Sequence, residues 1–139
     1  MQRFIFTGMA TMVLAAGSAA ADPLDVFGKF AVRGGTSHVE ISDCGNATPC
    51  GHIVWIDPAS LEPGEQAETL TDAKGAKILG LQLLKGFTAR SGDWRGGTIY
   101  DPEAGRVYAS RLKRLANGAL EVKGCIGPVC QTQIWTAVR

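Results

Sequence analysis

Short runs of β-forming residues, each followed by a turn signal, recur from residue 28 onward and constrain the fold more than any other feature of the chain. In one run, residues 38–43, Val39 and Ile41 alternate with polar side chains, as in a strand with one buried face. The eight runs predicted as strands are 28–33, 38–43, 52–56, 78–87, 93–100, 106–115, 119–125 and 131–138. Strands this short and closely spaced indicate an antiparallel sandwich or a closed barrel.

Glycine pairs mark several of the connections between these runs. Gly34-Gly35 and Asn117-Gly118 are typical of tight hairpin turns. Gly96-Gly97 lies inside a predicted strand and predicts a bulge or bend there. Residues 101–105 combine proline and glycine in an order that favours a turn. The turns therefore support an antiparallel order of neighbouring strands.

One segment, from Asp57 to Lys77, interrupts the series of strands. It is rich in acidic residues and contains early prolines and glycine, with few apolar side chains. Loops of this length are uncommon in compact domains and usually serve a function or contain a short helix. We predict a long polar loop, with one or two helical turns within residues 65–74.

Residues 1–21 have the pattern of a secretory signal peptide. Arg3 gives a positive start, residues 4–16 are mainly apolar, and small residues lead to a predicted cleavage site after Ala21 or one residue earlier. The apolar run is shorter than the roughly 20 residues needed to span a bilayer, which argues against a retained anchor. The expected product is an exported, periplasmic single domain of residues 22–139 without a membrane span.

Charge excludes two classes of partner. Beyond residue 21 the chain carries 13 basic and 13 acidic side chains, so its net charge is zero. Proteins that bind nucleic acids or anionic membranes usually carry a basic excess. We therefore expect neither partner.

Four cysteines follow the leader, and an even number in an exported domain predicts two disulfides. Local pairs, Cys44 with Cys50 and Cys125 with Cys130, enclose five and four residues that include turn-forming glycine and proline. This arrangement is favoured. Spacing alone leaves open a second arrangement, in which long-range bridges join the two cysteine loops.

Catalytic and metal-binding motifs are weak or missing in the sequence. The cysteines, with His38 and His52, have the spacings C-x5-C and C-x4-C rather than those of a zinc knuckle, and an oxidising compartment favours disulfides. No C-x-x-C motif of a thiol oxidoreductase and no G-x-S-x-G motif of a hydrolase is present. We predict a protein that is not an enzyme and that needs neither a metal nor a cofactor.

Four stretches of the chain, in order, resemble the domain-of-unknown-function 2147 family of exported bacterial proteins. They are CG…CGHIVW at 44–55, LGLQLLKGF at 79–87, WRGGTIYDPEAG at 94–105 and QTQIWT at 131–136. One departure is Phe30, where such proteins often have a tryptophan; a phenylalanine can fill the same base of a barrel. The resemblance implies an eight-stranded, lipocalin-like barrel but carries no assigned activity.

An eight-stranded barrel is just wide enough either to be filled by side chains or to hold one small ligand. Two functions follow: an exported carrier or sensor for a small hydrophobic or amphipathic molecule, and a filled barrel that serves as a structural or protein-interaction module. Aromatic side chains would line a ligand cavity or, in the second case, plug the barrel. The candidate ligand-lining residues are Trp55, Trp94, Tyr100, Tyr108 and Trp135, with Arg111 as a candidate anchor for an anionic headgroup.

Overall fold

All eight predicted strands form in a computed structural model that describes residues 12–17 and 19–139. The predicted signal peptide, residues 1–21, falls mostly outside the described residues. The strands, including one extra two-residue strand, are β1 (Gly28–Ala31), β2 (Ser37–Asp43), β3 (Pro49–Ile56), β4 (Gln82–Lys85), β5 (Thr88–Ala89), β6 (Trp94–Asp101), β7 (Arg106–Arg114), β8 (Leu120–Ile126) and β9 (Val129–Ala137).

The strands close into a barrel. They pair antiparallel in the order β4-β3-β2-β1-β9-β8-β7-β6, and β4 also pairs with β6, with Leu84 opposite Ile99. The two residues of β5 pair with the first part of β6, so β5 continues the line of β4 after a break at Gly86-Phe87. The prediction of an all-β, eight-stranded antiparallel barrel is confirmed.

The turn predictions are also confirmed. Gly34-Gly35 connects β1 to β2, and both glycines have positive φ angles, which cost glycine no steric strain. Asn117-Gly118 connects β7 to β8, where the Gly118 amide donates to the carbonyl of Leu115. The register of β6 against β7 shifts between Trp94 and Gly97, which is the predicted bulge.

One end of the barrel, here called the base, is closed by residues 23–27. The indole nitrogen of Trp94 donates to the carbonyl of Leu24 at 2.9 Å, and Arg114 donates through its guanidinium to the carbonyl of Phe27 at 3.2 Å. The Arg114 guanidinium also lies 4.9 Å from the centre of the Phe30 ring. Phe30 is fully buried, so phenylalanine does fill this base.

One detail of the sequence prediction is wrong. The predicted strand 78–87 begins only at Gln82, because residues 78–81 form a turn in which Gly80 has a φ of 90° and the amide of Leu81 donates to Ile78. The prediction of one or two helical turns within 65–74 agrees with a single 3-10 turn, Ala67–Thr69, and a second 3-10 turn spans Pro58–Ser60. Among the described residues no helix is long and apolar enough to cross a membrane.

The cysteines form the two local disulfides, Cys44–Cys50 and Cys125–Cys130. Cys44–Cys50 joins the end of β2 to the start of β3 at the base. Cys125 and Cys130 face each other across the β8–β9 hairpin at the opposite end, here called the mouth. The long-range arrangement is therefore excluded by the structure, and all four thiols are unavailable to a zinc ion.

Tryptic mapping under non-reducing conditions tests this pairing. Cleavage after Arg33, Lys74 and Lys123 places each cysteine pair within one peptide, 34–74 and 124–139. We expect two separate peptides, each two hydrogen masses lighter than its reduced form. A single species that contains both peptides joined together would contradict the local pairing.

Substitution of Gly97 tests the packing that closes the barrel. A Cβ atom at Gly97 would overlap the ring of Phe87, which is 3% exposed. Gly97→Ala should therefore lower the free energy of unfolding by about 1–3 kcal/mol in denaturant titrations, the usual cost of overpacking. Gly92→Ala is the matched control, because a Cβ there has no neighbour within 4 Å and the φ angle is ordinary.

Equal effects of the two substitutions would show that the Phe87 contact is not the cause. Combining Gly97→Ala with Phe87→Leu should restore part of the loss, since the smaller side chain leaves room for the added methyl group.

Candidate ligand-binding cavity

The mouth half of the barrel contains a partly open cavity of about 750 Å³. Pockets that hold small molecules usually measure roughly 300–1,000 Å³ and are mostly apolar. Ten of the 22 residues that line it are aliphatic: Val32, Ile53, Ile56, Leu70, Ile78, Leu83, Ile99, Val122, Ile126 and Val129. The cavity therefore has the size and the lining of a site for one small apolar or amphipathic molecule.

Strand pleating places the polar wall residues. Alternate residues of a strand face the same side, so on β9 the side chains of Gln131, Gln133 and Trp135 all point toward the interior. Trp135 is 1% exposed and forms part of the cavity floor. Its indole nitrogen donates a hydrogen bond to the side-chain oxygen of Gln133 at 2.9 Å, so the buried N–H group finds its partner within the cavity wall.

Three of the six residues predicted to line a ligand site do line the cavity: Tyr100, Tyr108 and Trp135. Tyr100 lies near the end of β6, and Tyr108 lies on β7 opposite Ile99. The structure thus brings together aromatic side chains from three different strands around one space.

The other three predicted residues lie elsewhere. Trp94 belongs to the base, because its indole bonds to Leu24 across the closed end. Trp55 faces outward and stacks on His38 with ring centres 4.2 Å apart, in a register where β2 and β3 pair these two residues. Arg111 is exposed on the outer face of β7, since its neighbours Ser110 and Leu112 take the inward positions. Arg111 is therefore not one of the residues that line the cavity.

The long polar loop covers part of the mouth. Its residues Ser60 and Leu70 contribute to the cavity wall, as does Ile78, which directly follows the loop. Residues 70–78 fold back on themselves as a small hairpin, with Thr71 bridged to Lys77. The amide of Ala73, near the tip of this hairpin, donates to the carbonyl of Pro102 at 2.9 Å.

Asp72 ties the hairpin to the barrel. Its Oδ1 accepts hydrogen bonds from the amides of Lys74 at 2.9 Å and Ala76 at 2.7 Å, and its Oδ2 accepts the hydroxyl of Tyr100 at 2.5 Å. We call the Asp72–Tyr100 contact the clasp. It joins the loop directly to an aromatic residue of the cavity wall.

The clasp changes the pKa of both partners. The Tyr100 hydroxyl stabilises the Asp72 carboxylate and lowers its pKa below the ordinary 3.8, and the backbone amides of Ala76 and Lys74 add to this effect. The carboxylate in turn disfavours a tyrosinate beside it and raises the pKa of Tyr100 to about 12. A neutral tyrosine and an ionised aspartate are therefore the stable pair at neutral pH.

Two carboxylates, Asp101 and Glu103, are the charged members of the cavity wall that the structure describes. Both belong to the turn that follows β6 at the mouth. Below them the wall is apolar or uncharged, and on the inner face of β7 Ser110 is 2% exposed with a hydroxyl that has no hydrogen-bond partner among the described residues. Among the described residues, no group of three His, Cys, Asp or Glu side chains is placed to hold a metal ion.

Sequence reasoning missed four cavity-wall residues and one residue beside the wall. The four are Asp101 and Glu103, which lie in the turn after β6 (the acidic turn), and Gln131 and Gln133; the fifth is Asp72. The glutamines carried a usable signal, because they share the strand face of Trp135 in strict alternation. Asp72 carried none, since its role depends on a hydrogen bond to a residue 28 positions away in the sequence.

The comparison with protein families agrees with the fold. A family described as uncharacterized proteins conserved in bacteria (DUF2147) matches residues 28–137. Among solved structures, protein HP1028 from the human pathogen Helicobacter pylori, described as belonging to the lipocalin family, is similar with a TM-score of 0.62 and 18% identity over 87% of this chain and 85% of that chain. No curated protein matches the sequence. The chain therefore belongs to the DUF2147 family, and its barrel is lipocalin-like.

Proposed function

We propose that the protein is an exported, periplasmic carrier or sensor that holds a small hydrophobic or amphipathic molecule in its barrel. The observation that carries this proposal is the cavity of about 750 Å³, in which aliphatic side chains, ten of the 22 lining residues, are joined by three aromatic ones. Burial of apolar ligand surface contributes roughly 25 cal/mol per Å², so a wall of this kind supplies affinity without a charged anchor. The proposal assigns the protein no catalytic step.

Export rests on the leader pattern and on the disulfides. Residues 1–21 would be removed near Ala21, which leaves residues 22–139 as the working domain. Both disulfides are of a kind that persists in an oxidising compartment. The start of the domain fits this boundary, because the base-closing segment begins at Pro23, whose carbonyl accepts from the amide of Arg114.

The long loop is proposed as a lid over the mouth. Two of its residues, Ser60 and Leu70, line the cavity, and the clasp holds it against the wall residue Tyr100. Entry of a ligand through this side would require the hairpin 70–78 to move, and the clasp opposes that movement.

A second function, a structural or protein-interaction module, is favoured by one observation. Val54 and Trp55 are 40% and 38% exposed on the outer face of β3, where these apolar side chains do not pack in the barrel interior. In this case the cavity would have no physiological occupant.

Ligand capture separates the two functions. Protein purified from its own periplasm and examined by native mass spectrometry should carry a co-purifying small molecule, and the stripped protein should bind an environment-sensitive fluorescent fatty-acid probe. Gly124→Leu should weaken probe binding at least severalfold, because Gly124 lines the cavity and a Cβ there makes only an ordinary 3.5 Å contact with Ile99.

Thr132→Leu is the matched control, since Thr132 is exposed on β9 and does not line the cavity. The carrier function fails if no molecule co-purifies and the probe does not bind.

The pKa of Tyr100 tests the clasp. Tyr108→Phe leaves Tyr100 as the only tyrosine, and its ultraviolet titration should give a pKa of about 12 that moves back toward 10 in the additional variant Asp72→Asn. The clasp should therefore stabilise the closed lid below pH 10 and be lost as the pH rises through about 12. At the acid end it should be lost as the pH falls through the lowered pKa of Asp72.

An ordinary titration of Tyr100 near pH 10, unchanged by Asp72→Asn, would contradict the clasp. As a second readout, Tyr100→Phe should accelerate amide hydrogen exchange at residues 70–78 relative to the unchanged protein.

A further inference from the structure

The charged residues of the cavity wall are all acidic and lie at one end of the cavity. Its two charged residues, Asp101 and Glu103, are both acidic and both lie at the mouth, whereas the wall below is formed by aliphatic, aromatic and uncharged polar side chains. A molecule that fills this cavity would place an apolar body among the aliphatic side chains and its headgroup beside two carboxylates.

Neither carboxylate forms an ion pair with a basic side chain among the described residues. Within the part of the chain that the structure describes, the ion pairs do not involve Asp101 or Glu103. Asp101 uses Oδ1 to accept the amide of Glu103 at 2.9 Å, which is a turn contact and leaves its charge in place. Arg106 lies opposite Asp101 in the β6–β7 register but forms no ion pair with it.

Two aromatic rings accompany the carboxylates. Tyr100 and Tyr108 line the same cavity, and Tyr100 already accepts a cation on its face, with the Lys74 ammonium 5.8 Å from the ring centre. Carboxylates together with tyrosine faces are the groups that recognise amines and alkylated ammonium ions. An anionic headgroup in the same place would meet two like charges and no basic side chain of the wall.

We propose that the cavity selects cationic amphiphiles, molecules with an apolar chain and an amine or quaternary ammonium headgroup. This inference rests on the proposed function and names the ligand class for the same site. It replaces the anionic headgroup that Arg111 would have anchored, because Arg111 lies on the outer face of the barrel.

Three probes with the same alkyl chain test the selection: decyltrimethylammonium, 1-decanol and decanoate. Each is used below its aggregation concentration to displace a neutral naphthylamine dye from the stripped protein. We expect decyltrimethylammonium to bind at least tenfold more tightly than decanoate, with 1-decanol between them. The preference should shrink as salt is added, because the carboxylates lie at a solvent-exposed mouth.

The double variant Asp101→Asn with Glu103→Gln should reduce the affinity for decyltrimethylammonium by about three- to tenfold, in line with exposed charge pairs, and leave 1-decanol unchanged. Asparagine keeps an oxygen that can accept the turn amide. Glu40→Gln is the matched control, since Glu40 is an exposed carboxylate on β2 that does not line the cavity. Arg106→Gln should leave the order of the three probes unchanged.

Each outcome separates the inference from the function on which it rests. If the dye binds and decanoate competes as well as or better than decyltrimethylammonium, the cationic selection is wrong and the carrier function stands. Loss of decanoate binding in Arg106→Gln would likewise assign the mouth to anions. If neither the dye nor any of the probes binds, the carrier function itself is wrong, and the inference falls with it.

Discussion

The pairing of β4 with β6 is the contact on which the rest of the barrel depends. It consists of two residue pairs, Leu84 with Ile99 and Lys85 with Thr98, whereas β7 and β8 share a ladder of six pairs. Without it the sheet would have two open edges and no enclosed space. The chain supports this short ladder by packing: Leu84 is fully buried, and Phe87 sits over Gly97 where any larger residue would overlap it.

Closure creates an interior with two different halves. Near the base the inward side chains are large and fully buried, among them Phe30, Leu112 and Leu120, so that this half is filled. Toward the mouth the inward positions include Gly124 and Ser37, which offer little or no side chain, and the space between the strands stays open. Whether an eight-stranded barrel is hollow or filled is thus decided strand by strand, by the size of the residue at each inward position.

This division explains which features could be predicted from the sequence. Strands, hairpins and the Gly96-Gly97 bulge follow from local rules of alternation and turn chemistry, and those predictions hold. The turn at residues 78–81 was missed because its leucines continue the strand pattern, although Gly80 takes a positive φ angle and the backbone of Ile53 bonds to both Gly80 and Leu81. Here a tertiary contact overrides local preference.

The site was predicted less well than the fold for the same physical reason. Aromatic residue type indicates burial but not the end of the barrel at which a residue is buried. Trp94 and Trp135 are both nearly inaccessible to solvent, yet Trp94 closes the base and Trp135 lines the bottom of the cavity. Their positions depend on strand direction around the whole closed sheet: β6 runs from base to mouth, and β9 runs from mouth to base.

The acidic turn and the clasp are joined to each other at the mouth by the chain and by hydrogen bonds. Tyr100 is part of the cavity wall, it holds the loop through Asp72, and it directly precedes Asp101 in the chain. The hairpin tip is bonded to the same turn through the amide of Ala73 and the carbonyl of Pro102. A movement that opens the loop must therefore break contacts to the residues that set the charge of the mouth, and access to the cavity and its electrostatics change together.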